Sequence, residues 1–449
     1  MHHDTKAIEK ELMNSELIFD WNVHGEILPA PARPVQLMDE TLRDGLQSSS
    51  VRTPKLEEEI QLLHLMNELG ISVVNIGLPG AGGAHVERIK ALGREIRDHR
   101  MQITATCACR TVVSDIEALV RICDELGMPI EAACFIGSSS IRRYSEEWSI
   151  DEMLKNIEAS LSLAVKHGLP VMFVTEDTTR ADPDTLNRLF SAAIELGAKR
   201  LCLCDTVGHA TPSGVKNLVR YTRVIIAKTG RDVEIDFHGH NDRGFGVINA
   251  IHAASAGAAR VHGTALGIGE RCGNASMDQI LVNLKLLGWI DGNMTKLKKY
   301  AHLAAEMTGI DIPVSYPVFG PDAFRTQTGV HAAAVVKAYH HGNNWLANRV
   351  YSGVPAELFG LHQTIEIGPM SGRHNVDYWL REHHLEVSDE KIHAILEAAK
   401  AGNHILSEHE IRELAGHPAA DHPGGHHGDG HGDGHGGGHG DGHHAEGHG

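Results

Sequence analysis

Two histidines separated by one glycine, His238-Gly239-His240, close the short apolar run VEIDFHG at 233–239. Residues i and i+2 of a strand project to the same side, so both imidazoles can approach one ion, and the glycine between them adds no bulk. Two imidazoles with one carboxylate make an open site for Mg, Mn, Zn or Fe(II) rather than a closed structural one. The carboxylate is available in DETLRDGLQ, residues 39–47, from either Asp44 or Asp39. In a chain with 33 histidines a His-x-His pair alone means little; the acidic partner gives it weight. Arg43 beside that acid reads as a surface salt bridge or as a fixed cation aimed at a carbonyl or enolate oxygen. Glu176, in the TED run at 175–177, reads as a solvated loop acid or as a general base.

These residues need elements that bring them to one place. From Val35 to about Leu287, short apolar runs alternate with helical patterns at a spacing of roughly 30 residues, the rhythm of β/α units. Eight runs read as strands: VQLMD (35–39), SVVNIG (72–77), QITATCA (102–108), IEAACFIG (130–137), PVMFVTE (170–176), RLCLCD (200–205), VEIDFHG (233–239) and ARVHGTAL (259–266). Between them, stretches such as LEEEIQLLHLMNELG (56–70) carry apolar residues at i, i+3, i+4 and i+7 and stop at glycine, as helices do. Eight units predict a (β/α)8 barrel, with a doubly wound open sheet as the alternative. Catalytic groups of such barrels sit at the C-terminal ends of strands, and polar sets gather there: DETLRDGLQ, TED, DTVG (205–208), HGHND (238–242) and GIGERCGNA (267–275).

The barrel is expected over residues 35–290, after an N-terminal extension at 1–34. A Pro-rich connection (IPVSYPVFGPDAF, 312–324) then leads through 291–415 into a smaller α/β or helical subdomain. Ten histidines among glycines and aspartates fall between His417 and His448, so 416–449 is expected to be a disordered tail able to bind Zn, Ni or Cu adaptively. A formal charge of −17 argues against nucleic acid as a partner. The absence of a long apolar run and the charged start argue against a membrane span or secretion, leaving the cytoplasm as the expected location. Seven cysteines at no framework spacing read as reduced thiols; the pairs Cys107/Cys109 and Cys202/Cys204 each share one strand face and read as core.

Taken together, DETLRDGLQ, HGHNDRGFGVINA and GIGERCGNA resemble the signatures of the DRE-TIM metallolyases, in their Claisen-condensing branch of 2-isopropylmalate, homocitrate and citramalate synthases. The likeness continues more loosely through FRTQTGVH (324–331) and IGPMSGRHNVDYWL (367–380). The resemblance implies that Asp44, His238 and His240 ligate a divalent metal (Mg, Mn or Zn), with Asn274 reaching it directly or through water. It implies that Arg43 polarises a keto oxygen, that Gln47 lies near the substrate and that Thr206 holds a 2-oxo acid carboxylate. Glu176 would join His331 and Tyr351 in proton transfer, in a homodimer whose small domain reaches the partner's site. The implied reaction joins acetyl-CoA to a 2-oxo acid and releases CoA. Homocitrate synthases carry an arginine four residues before the glutamate matching Glu176; here that position is Met172, which disfavours a dicarboxylic acceptor, while the GLPGAG run (77–82) is more similar to 2-isopropylmalate synthases. The rival readings are a hydroxymethylglutaryl-CoA lyase-like cleavage using Cys272, and a non-catalytic metal-handling protein carried by the tail.

Overall fold

The computed structural model describes residues 17–417. The two ends, and with them most of the histidine-rich segment, lie outside the described residues. Eight parallel strands close on themselves: β1 (Gln36–Asp39), β2 (Val73–Asn75), β3 (Thr104–Arg110), β4 (Glu131–Gly137), β5 (Val171–Glu176), β6 (Arg200–Asp205), β7 (Glu234–Gly239) and β8 (Arg260–Gly263). All eight runs read from the sequence are strands, and closure decides for the barrel over the open sheet. The seam is β1 against β8, with Gln36 opposite Arg260, Met38 opposite His262 and Asp39 opposite Gly263.

The local chemistry of the helices follows their sequence. Ile150–Lys166 begins at Ser149, whose hydroxyl accepts from the Glu152 N–H while the Glu152 carboxylate accepts from the Ser149 N–H. Pro183–Glu195 and Pro212–Thr229 each start with proline after a capping Asp182 or Thr211. The outer faces of the strands pack against these helices in one large apolar core, which contains Cys107, Cys109 and Cys134.

The barrel interior is stratified by the two-residue period of the strands. At the end where the strands begin, Arg200 and Arg260 converge on Asp236, with Arg200 Nε 2.8 Å from its carboxylate and Arg260 also held by Glu131 at 2.8 Å. Above this ionic floor lies a small apolar layer of Met38, Val73, Ala133, Met172, Cys202 and Cys204. Both cysteine pairs are therefore buried free thiols, as expected, though on opposite sides of the barrel wall.

After the barrel, helix Leu297–Thr308 returns to brace β1. The hydroxyl of the fully buried Tyr300 donates to Asp39, whose carboxyl burial pushes up to about 6 in spite of that bond and one from the Thr41 N–H. Tyr300→Phe leaves a buried acceptor short of a donor and should cost about 1–3 kcal/mol of stability in urea unfolding. An unchanged midpoint and slope would show that the bond contributes nothing.

The chain divides into two compact units: the described residues up to Thr326 with Ala334–Thr364, and Gln327–Ala333 with the described residues from Ile365 onward. The second unit is helical, built of Arg373–Glu382, Asp389–Ala401 and Glu408–Leu414 around Ile367, Val376, Trp379, Leu380, Ile392 and Ile395. Asn375 and Ser371 tie the 327–333 segment to it through the Gln327 carbonyl, at 2.9 and 2.8 Å. Among the described residues no helix is long and apolar enough to cross a membrane.

Candidate active site

At the C-terminal ends of the strands lies a cavity of about 290 Å³, bordered by Arg43, Asp44, Gln47, Glu176, Thr206, His238 and His240. Seven of the residues singled out from the sequence thus meet in one place. The two acids offered by the sequence, Asp39 and Asp44, differ in position. Asp39 is sealed beneath Tyr300, whereas Asp44 faces both imidazoles, its Oδ2 lying 3.8 Å from His238 Nε2 and 3.6 Å from His240 Nε2.

Those separations are too long for hydrogen bonds and suit donors gathered around a common ion. Asp44 Oδ2 and the Asn274 side-chain oxygen are buried without a hydrogen-bond partner, an expensive arrangement unless something else satisfies them. Burial lowers both imidazoles, His240 to about 4, so their lone pairs are free at neutral pH. Burial alone would raise Asp44, but the Arg43 guanidinium and the two histidines outweigh it and hold the carboxylate well below its usual range. The donor set therefore fits a divalent ion.

Asn274 is brought in by the glycine-rich loop after β8, where it bridges to His240 and donates to the Ile268 carbonyl at 3.1 Å. That loop has no room for side chains: a Cβ on Gly273 (φ +81°) would lie 1.8 Å from the Gly267 carbonyl oxygen, and one on Gly269 would lie 2.3 Å from the Asn274 amide. The pattern in GIGERCGNA is thus a packing requirement that delivers Asn274.

Arg43 Nη1 donates to Asp44 at 2.6 Å, and its other terminal nitrogen contacts Glu40. The sequence reading missed Glu40, although it lies inside the quoted motif, and missed His262 on β8. His262 Nδ1 is 3.0 Å from Glu40 and its Nε2 is 3.0 Å from Asp236, so an imidazole links the ionic floor to the mouth. Glu40 also takes a bond from Asn75 at 3.3 Å and lies 3.6 Å from Nδ1 of His238, the far side of a ring whose Nε2 faces Asp44. At that distance Glu40 places negative charge behind the His238 ring without a hydrogen bond to it. The available signal was the inward alternation Arg260, His262 along β8.

On the opposite wall, Glu176 lies 2.9 Å from Arg142 Nε, on the helix Ser140–Glu146. Burial raises the Glu176 carboxyl, and Arg142 opposes it. Thr206 Oγ1 accepts from the Asp177 N–H at 2.8 Å, which leaves its own hydrogen to donate into the cavity. Arg271 holds the Thr206 carbonyl at 2.6 Å and Asp242 at 2.9 Å. Gln47 is exposed at the rim. His331 is an exposed residue of the second unit, while Tyr351, 47% exposed in the first, does not border the cavity of its own chain. Cys272 is exposed and lies off the cavity wall.

A parallel barrel carrying two histidines and a carboxylate at its mouth, with an arginine against that carboxylate, defines a class of metal-site barrel. The chain belongs to the HMGL-like family, which it matches over residues 34–305. It is 32% identical over 372 residues to a probable 2-isopropylmalate synthase of Methanopyrus kandleri, covering 82% of this chain and 69% of the relative. It is also 32% identical to homocitrate synthase AksA of the same organism, covering 82% of this chain and 87% of the relative. Among solved structures, an HMG-CoA lyase of Bacillus subtilis superposes with a TM-score of 0.52 at 23% identity, over 63% of this chain and 97% of that one. The family resemblance carried by the three motifs is borne out, and the structural match bears out the barrel.

Proposed function

We propose that this protein condenses acetyl-CoA with a 2-oxo acid of apolar side chain and hydrolyses the thioester, releasing CoA and a 2-alkylmalate-type acid, as a 2-isopropylmalate synthase does. The observation that carries the reading is the convergence of Asp44, His238, His240 and Arg43 on a cavity whose inner wall is Phe135, Met172, Val174, Ala133, Cys202 and Cys204. The arginine beneath Met172, Arg260, is held by Asp236 and Glu131 and capped by the Met172 sulfur at 3.2 Å, so it is no partner for a second substrate carboxylate. When bound, a divalent ion held by Asp44, His238, His240 and Asn274 supplies a Lewis acid for the keto group.

The side chains then divide the work. The Thr206 hydroxyl binds the substrate carboxylate and Gln47 closes the rim. Arg43, fixed between Glu40 and Asp44, donates to the keto oxygen as negative charge develops there. Glu176 takes part in moving the methyl proton. His331 and Tyr351 belong to the same proton-transfer set, supplied by a second copy of the chain in a homodimer, in keeping with the place of Tyr351 off its own cavity wall. The lyase reading loses support because Cys272 does not border the cavity.

The test is CoA release from acetyl-CoA with Mg or Mn, across pyruvate, 2-oxobutyrate, 2-oxoisovalerate, 2-oxoglutarate and oxaloacetate. Metal-dependent release with 2-oxoisovalerate above the dicarboxylic acids is expected. Preference for 2-oxoglutarate would overturn the acceptor class, and silence with all five in folded, metal-loaded protein would overturn the condensation. A pH profile tests Glu176. Removing the opposing charge in Arg142→Met lets burial raise the Glu176 carboxyl further, so the acid limb of kcat should move to higher pH while Arg142→Lys holds it. An unmoved limb in the Met variant would take Glu176 out of the titrating step.

A further inference from the structure

A second set of metal-type donors sits on the outside of the barrel, on the helix after β1 (Leu56–Glu68) and the helix after β2 (Gly83–Asp98). His64 lies near the C-terminal end of the first, Glu95 in the last turn of the second, and His99 caps that second helix. Barrel helices run antiparallel to their strands, so these helix ends lie at the face where the strands begin, opposite the catalytic mouth. None of the three residues borders the active-site cavity.

The geometry converges on one carboxylate oxygen. His64 Nε2 is 2.7 Å and His99 Nδ1 is 3.1 Å from Glu95 Oε1, and the two rings stand 5.4 Å apart at 80° to one another. One nitrogen from each ring and one Glu95 oxygen lie within 4.8 Å of one another. Bonds of about 2.0–2.2 Å at tetrahedral angles would separate such donors by about 3.3–3.5 Å, so an ion fits after side-chain shifts on the order of 1 Å. Glu95 and His99 share a helix face at i and i+4, which presets two of the three donors. The side chains of His64 and His99 are 41% and 57% exposed, which gives an ion an entry path and leaves its remaining positions to water.

We propose that His64, Glu95 and His99 form a second, non-catalytic site for a borderline transition-metal dication, Zn²⁺ foremost, which clips the helix after β1 to the helix after β2. At two imidazoles and one carboxylate, Zn²⁺, Ni²⁺ and Cu²⁺ bind more tightly than Mg²⁺ or Mn²⁺, following the general order of divalent affinities at such donors. The same ions suit the ten histidines between His417 and His448, so total metal stoichiometry cannot test the site and a position-resolved readout is required.

The full-length protein serves for two measurements. Oxidation with Cu²⁺ and ascorbate, read by peptide mass spectrometry, should modify His64 and His99 well above the exposed His24 and His341 and lose that excess in Glu95→Gln. In thermal unfolding, saturating Zn²⁺ should raise Tm by about 5 °C more in the wild type than in the double variant His64→Gln, His99→Gln. Ions at the catalytic site or on the C-terminal histidines act alike in both proteins and cancel in the comparison. Oxidation of His64 and His99 no greater than at His24 and His341, or equal Zn²⁺ shifts in the two proteins, would overturn the proposal.

Discussion

Replacing His238 by alanine is expected to lower metal-dependent CoA release by on the order of 10³-fold or more, the loss of several kcal/mol of charge stabilisation from a displaced or misplaced ion. The expectation rests on three features of the ring. Its Nε2 faces the partnerless Asp44 Oδ2, its Nδ1 faces Glu40, and burial keeps it neutral. Removing it takes away a donor and leaves Glu40 paired with Arg43, Asn75 and His262. Mn²⁺ titration followed by electron paramagnetic resonance is the companion measurement, because the C-terminal imidazoles favour softer ions. A variant that binds Mn²⁺ with wild-type affinity and turns over normally would remove His238 from the site.

Arg43→Ala should cost about 10²–10³ in kcat, some 3–4 kcal/mol of barrier, by analogy with loss of an oxyanion donor. The guanidinium is held at 2.6 Å by Asp44 and by Glu40 behind it, so little reorganisation is needed when the keto oxygen gains charge. Because the donor acts on charge that develops during the reaction, kcat should fall far more than the affinity for the 2-oxo acid changes. Removal also leaves Glu40 and Asp44 without the cation between them, so Arg43→Lys provides the control: it keeps the charge, loses the fork and should recover only part of the rate. Equal rates in Arg43→Ala and the wild type would mean that the arginine only neutralises the two acids.

Much of this molecule was legible in the chain itself. Strand and helix positions follow from local periodicity, and the rule that barrel chemistry gathers at strand C-termini puts Arg43, Asp44, Glu176, Thr206, His238 and His240 at one end of the barrel, where they border one cavity. His262 escaped notice because, within VHGT, it is one histidine among 33. Its meaning comes from the seam, which sets Met38 opposite His262 and leads Glu40 past Gly263, with the Glu40 N–H on the Gly263 carbonyl at 2.9 Å.

The sequence by itself determined the eight β/α units and most of the residues at the mouth, since both depend on patterns repeated every few residues. Only the tertiary structure buried Asp39 beneath Tyr300, joined Asp236 to Glu40 through His262, and brought His64 to Glu95 and His99. Each of those outcomes is a side-chain convergence between segments far apart in the chain, set by strand register, barrel closure and helix packing. A one-residue slip of β8 against β1 would turn His262 out of the barrel while leaving every local pattern in the sequence intact.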